Sequence, residues 1–157
     1  MKPELPENHN LLGLAYCRAE RFEEGIAEYR KALELKESRA STAQSVSVAT
    51  IRTNLANALT IIGNNLSSSA TEIPSEATRR YEEAIAQYKK ALELEPNQPA
   101  IHRNLGLLLA RLGRLDEAEA HLRASRRDPS TALGMTTKDA SPRSRHLYRR
   151  DRNSSSR

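Results

Sequence analysis

Apolar and small residues recur every three to four positions along most of the chain, in blocks that alternate between two patterns. Residues 11–20 (LLGLAYCRAE), 54–63 (NLANALTIIG) and 104–113 (NLGLLLARLG) share the first: apolar, small, two variable positions, apolar. Its members are Leu12-Gly13 with Tyr16, Leu55-Ala56 with Leu59, and Leu105-Gly106 with Leu109. The second pattern follows each block. RFEEGIAEYRKALELKE at 21–37 returns as RYEEAIAQYKKALELEP at 80–96, with ten of the fifteen pairs from Glu23/Glu82 onward identical. A shorter version runs from Leu115 through Ala118 to Leu122. This spacing places the apolar set on one face of a helix. In each full copy of the second pattern a small residue (Gly25, Ala84), an aromatic (Tyr29, Tyr88) and an alanine (Ala32, Ala91) share that face. Small groups there admit a neighbouring backbone, and the ring fills the space beside it. The prediction is an all-α array of about three antiparallel helix pairs, six helices in all.

With these residues the chain resembles the tetratricopeptide repeat family. The family's 34-residue signature sets L-G-x-x-Y in one helix and A-x-x-x-F, alanine and a closing proline in the next. The resemblance covers about residues 6–125, and Pro96 falls at the closing proline. His9, Arg52 and His102 stand where the family has tryptophan. It implies a right-handed helical-repeat solenoid over 1–125, with repeats at about 6–39, 49–98 and 99–125. A regular array would set the two similar segments 34 residues apart, yet Glu23 and Glu82 are 59 apart. Registering the helices assigns the surplus to Ala40–Val48 and to 64–79. The first addition is expected to extend the second repeat's first helix backwards to a cap at Ser41 or Thr42. The second is expected to begin as a loop and become helical at an N-cap at Ser75, with Glu76 in the first turn. The third repeat is one residue short before Pro129 and shows no polar capping helix, which leaves its outer side open to self-association.

Charge divides the chain more sharply than hydropathy does. Residues 126–157 carry nine Lys/Arg against three Asp/Glu, few apolar residues and no helical period, so a disordered basic tail is expected there. Arg143, Arg145, Arg149, Arg150 and Arg152 around His146 and Tyr148 offer nucleic-acid contacts as an alternative function. No stretch is long and apolar enough for a membrane span, and the amino terminus is no signal peptide. The single cysteine, Cys17, fits a reducing, cytoplasmic setting. His9, His102, His121 and His146 lack the spacing of a metal site, and no phosphate-binding loop or nucleophile elbow is present. Neither cofactor nor catalysis is expected.

In the tetratricopeptide family the first helices of successive repeats line a concave groove. Carried over by position, the resemblance assigns Asn10, Leu14 and Arg18 from repeat one to that groove. Repeat two contributes Thr50, Thr53, Asn54, Asn57 and Ile61, and repeat three Arg103, Asn104, Leu107 and Arg111. Helical spacing gives the same stripe independently, leaving Ile51, Leu55, Leu59 and Ile62 for the core. Asn54 and Asn104 share one register, and NLANAL at 54–59 is similar to repeats of the O-linked N-acetylglucosamine transferase superhelix, where groove asparagines hold a peptide backbone. The carboxylate clamp of chaperone adaptors is not matched, since only Asn54 fits. The expected function is noncatalytic binding of a partner peptide or helix in the groove. The remaining alternative is a repeat segment of a larger transferase.

Overall fold

The computed structural model describes residues 5–38 and 46–126, which hold α1 (Pro6–Arg18), α2 (Phe22–Ser38), α3 (Val48–Ser67), α4 (Ser75–Leu94), α5 (Pro99–Arg111) and α6 (Leu115–Ser125). There is no strand among the described residues. All six helices belong to one compact unit, Met1–Arg127; the expected disorder of the tail lies outside the described residues. The helices pack as consecutive pairs, α1 on α2, α3 on α4 and α5 on α6, with α2 against α3 and α4 against α5 joining the pairs. This is the all-α array of helix pairs that the periodicity predicts, and the helical-repeat solenoid that the resemblance implies.

Small residues facing bulky side chains set the closeness of each pair. A Cβ placed on Gly13 would lie 2.6 Å from Cε1 of Tyr29, and one on Gly106 would lie 2.8 Å from Cγ of Leu122. Tyr29, Tyr81 and Tyr88 are at most 1 % exposed, and Ala32, Ala56, Ala84 and Ala91 are fully buried beside them. Burying such rings is the largest single apolar gain available to so aromatic-poor a chain.

The turn inside each pair shows how the second insertion works. Glu20 (φ 61°) and Gly113 (φ 75°) end α1 and α5 in the left-handed region. Their turns close with Arg21 N–H on Tyr16 O (2.9 Å) and Arg114 N–H on Leu109 O (3.0 Å), the hydrogen bonds of a left-handed helix cap. Gly63 holds the equivalent position but stays helical, and α3 runs on to Ser67. The expected loop therefore starts later, after Ser67. The hydroxyl of Tyr81 explains the extension: it donates to Asn64 Oδ1 (3.0 Å) and lies 2.8 Å from Ser67 Oγ, tying the extra turn to α4. Ser75 is the first helical residue of α4 rather than its cap, which is Pro74.

The other insertion also departs from expectation. Val46 and Ser47 are not helical, and α3 begins at Val48, with Ser47 Oγ accepting from Ala49 N–H at 3.1 Å. A helix running unbroken from Ser41 or Thr42 is thus excluded, although those two positions lie outside the described residues. Ser47 outcompetes them as a cap because its hydroxyl also donates to Glu95 Oε1 (2.6 Å).

The two ends of the array differ. On α6 Glu119, and just after it Arg126, take the places of Ile26/Ile85 and Leu33/Leu92, and both are exposed. These two positions give the end of the array a polar outer surface, and Leu115 at the start of α6 is 66 % exposed. On α1, Leu12 is 42 % exposed, whereas its equivalents Leu55 and Leu105 are at most 1 % exposed.

Candidate functional site: the groove face of the first helices

One face of α3 supplies the core and the opposite one carries the positions expected to line the groove. Ile51, Leu55 and Leu59 are at most 1 % exposed and Ile62 packs on the core, while Thr50 and Ile61 are exposed and Thr53, Asn54 and Asn57 half-buried. α5 repeats the division: Leu105 and Leu109 are buried, Asn104 is half-buried, and Arg103, Leu107 and Arg111 are exposed. On α1, Arg18 is exposed, Leu14 is half-buried against the core, and Asn10 is buried at 6 % exposure.

The asparagines do not stand free along this face. Asn54 Nδ2 donates to Asn10 Oδ1 (3.0 Å), and Asn104 Nδ2 donates to Asn57 Oδ1 (3.2 Å). Asn57 Oδ1 also accepts from the hydroxyl of Tyr88 at 2.5 Å, and burial holds that phenol above its usual range. Each pair bridges the first helices of neighbouring repeats, so these amides carry a structural duty. Asn54 and Asn104, which share one register, therefore each bind an asparagine of the preceding repeat's first helix.

Charge is segregated between the two walls. The first helices carry one acid, Glu7, against Arg18, Arg52, Arg103 and Arg111; the second helices carry twelve acids and eight bases. Ion pairing follows the same division. Arg21, Arg30, Arg52, Arg79, Arg80, Arg114 and Arg123 each meet a carboxylate. Among the described arginines from Arg18 to Arg123, only Arg18, Arg103 and Arg111 do not, and all three are positions expected to line the groove. Arg111 lies over the Tyr81 ring instead, 5.8 Å from its centroid.

Where the family has tryptophan, each repeat has a polar clasp between its two helices. His9 Nδ1 meets Glu28 Oε2 at 2.6 Å, Arg52 donates to Gln87 Oε1 at 2.9 Å, and His102 Nδ1 lies 2.9 Å from His121 Nδ1. In the third, His102 Nε2 faces the carbonyl of Pro96 at 3.0 Å; a carbonyl only accepts, so this nitrogen bears the hydrogen and His121 Nδ1–H donates to His102 Nδ1. Burial lowers the affinity of His121 for a second proton, with His102 and Lys89 adding to the effect. The clasps escaped sequence analysis. Their signal was available, for residues 28, 87 and 121 are as equivalent to one another as 9, 52 and 102 are.

Burial raises the Cys17 thiol above its ordinary value, opposed by a hydrogen bond with Tyr29, which disfavours the thiolate a nucleophile requires. No group of three or more metal-binding side chains exists among the described residues, and none of their helices is long and apolar enough to cross a membrane. His146 and the tail arginines lie outside the described residues.

Residues 6–39 match the tetratricopeptide repeat family and residues 80–113 match a TPR repeat, the latter spanning α4 and α5. Solved structures of MamA share the fold. A charge-reversal point mutant of MamA superposes with a TM-score of 0.57 at 23 % identity, covering 79 % of this chain and 72 % of that one. MamA AMB-1 gives 0.59 at 23 % identity, covering 84 % and 61 %. A second MamA point mutant also gives 0.59 at 23 % identity, covering 83 % and 61 %. The chain thus spans about three-fifths to seven-tenths of those proteins, and identity at this level establishes fold alone. No curated protein matches the chain.

Proposed function

We propose that this chain is a noncatalytic interaction module that holds an extended or helical segment of a partner protein against α1, α3 and α5. The binding unit would be residues 1–125, with the basic segment 126–157 outside it, and its single cysteine suits the cytoplasm. One observation carries the reading. On helices whose other faces are buried, Ile61 (39 %) and Leu107 (58 %) are exposed beside three arginines that meet no carboxylate. Interfaces favour this combination of apolar anchors and arginine. Thr50, Thr53 and the asparagine bridges supply donors and acceptors between the anchors.

The test is a random twelve-residue peptide display library selected on the full-length protein. Ile61→Ser combined with Leu107→Ser should release most selected peptides, about tenfold or more, since two exposed apolar contacts of about 1 kcal/mol each are lost. Far-ultraviolet circular dichroism should be unchanged. A selected set that binds wild type and the double variant equally would place the binding surface elsewhere.

A further inference from the structure

We propose that the segment held in this groove is acidic, an inference that rests on the groove reading above. Its ground is the segregation of charge. A solvated arginine on a helical surface ordinarily finds a carboxylate three or four residues away or on the neighbouring helix, and seven of the ten described arginines between 18 and 123 do so. Arg18, Arg103 and Arg111 have none within reach because α3 and α5 contain no acid at all and α1 only Glu7, which faces Lys36 at 3.9 Å. The groove face therefore presents three uncompensated guanidinium groups, while twelve of the sixteen described acids sit on the second helices. Such a wall attracts an anionic ligand and repels a basic one. Guanidinium forks also grip carboxylates in two-point fashion.

The spacing limits what the ligand can be. Arg18 and Arg111 hold equivalent positions two repeats apart, about 20 Å if neighbouring helices lie 8–10 Å apart. An extended peptide advances about 3.3 Å per residue, so acids about six residues apart would reach both. Ile61, equivalent to the same two arginines in the middle repeat, would meet an apolar residue between them. Arg103 lies eight residues before Arg111 on α5, about 12 Å along the axis, and widens the anionic site at that end. A peptide is favoured over nucleic acid because the exposed groove positions named above include no aromatic side chain on which a base could stack.

The library experiment reads this directly. Peptides lost in the Ile61→Ser/Leu107→Ser variant should be enriched at least twofold in Asp and Glu over the input. Groove-dependent peptides without that enrichment would overturn the acidic inference and leave the groove reading intact. Finding no groove-dependent peptide would overturn both. One enriched peptide and its Glu→Gln, Asp→Asn twin are then compared by fluorescence anisotropy on the full-length protein. Arg18→Gln/Arg103→Gln/Arg111→Gln should weaken the acidic peptide about tenfold or more and the neutral twin less than twofold. Arg143→Gln/Arg145→Gln/Arg149→Gln should change neither by more than twofold. The reverse pattern would move the anionic site to the tail. A ten-nucleotide single strand that outcompetes the acidic peptide and depends on the three groove arginines would reassign the groove to nucleic acid.

Discussion

Replacing Asn54 by alanine decides whether the groove amides are free for a ligand or already employed. In the folded chain Asn54 Nδ2 is the donor to Asn10 Oδ1, and Asn10 is only 6 % exposed. Asn54→Ala strands that buried acceptor, which costs about 1–3 kcal/mol. Asn104→Ala is milder, because Asn57 Oδ1 keeps the Tyr88 hydroxyl at 2.5 Å; only a net hydrogen bond is lost, about 0.5–1 kcal/mol. Urea unfolding of the full-length protein, followed by circular dichroism at 222 nm, should rank them in that order. For a domain this size each 1 kcal/mol shifts Tm by about 3–5 °C, so thermal scans resolve the difference as well. Asn10→Leu together with Asn54→Leu removes donor and acceptor alike with shapes roughly kept, and should recover much of the loss. Asn54→Ala proving no more harmful than Asn104→Ala, or the double variant showing the plain sum of its singles, would refute the bridge and return these amides to the ligand.

Other perturbations test the turn and the clasp. Glu20→Gly should stabilise by about 0.5–1 kcal/mol in urea titrations, since a non-glycine residue at φ 61° carries about 1–2 kcal/mol of local cost. Gly63→Ala should destabilise by about 1 kcal/mol even though alanine is the better helix former, because its Cβ would lie 2.7 Å from Cδ1 of the Tyr81 ring; a gain in stability would mean that the ring is free to move. The lowered proton affinity of folded His121 means that the unfolded chain binds more protons near neutrality, so stability should be full above about pH 7 and fall as pH drops through about 6.5. Urea midpoints from pH 7.5 to 5.5 should show a shallower fall in His121→Gln than in wild type; parallel curves would count against the assignment.

Helix number, pairing and core faces were legible because they depend on spacing alone. Leu55, Leu105 and Tyr88 recur at fixed intervals, and any residue that interrupts burial would break the interval. The boundaries were less legible because caps are settled by tertiary contacts. Ser47 displaces Ser41 and Thr42 through Glu95, which is 48 residues away, and Gly63 reads as a helix terminator until the Tyr81 hydroxyl is seen to hold the next turn. The candidate groove was legible as a stripe but not as chemistry. Spacing identifies which asparagines face outward; it does not say that Asn54 finds Asn10 across the repeat boundary. The polar outer surface at the end of the array was visible in principle, since Glu119 and Arg126 align with Ile26 and Leu33, yet it becomes recognisable only once the buried members of that set are known.

The two walls join the repeats by different physics, and this bears on the charge of the proposed groove. On the second-helix wall, successive repeats are tied by Arg30–Glu83 (2.5 Å), Arg80–Glu23 (2.9 Å), Arg114–Glu82 (3.3 Å) and Lys89–Glu117 (3.3 Å). On the first-helix wall, neutral amides perform the same office. With twelve acids on the second helices and only Glu7 on the first, no carboxylate pairs with Arg18, Arg103 or Arg111. Exposed ion pairs contribute about 0–1 kcal/mol each and are screened as the Debye length shrinks from about 10 Å at 0.1 M salt to about 3 Å at 1 M. Raising sodium chloride over that range should therefore lower wild-type stability by about 1–2 kcal/mol, and Asn54→Ala should show the same decrement, its loss being independent of salt. Additivity is expected because the ties lie on opposite sides of each helix pair and share no partner. A salt decrement that changes in Asn54→Ala would show instead that the amide bridges and the ion pairs set a common angle between repeats, so that groove width and groove charge could not be varied separately.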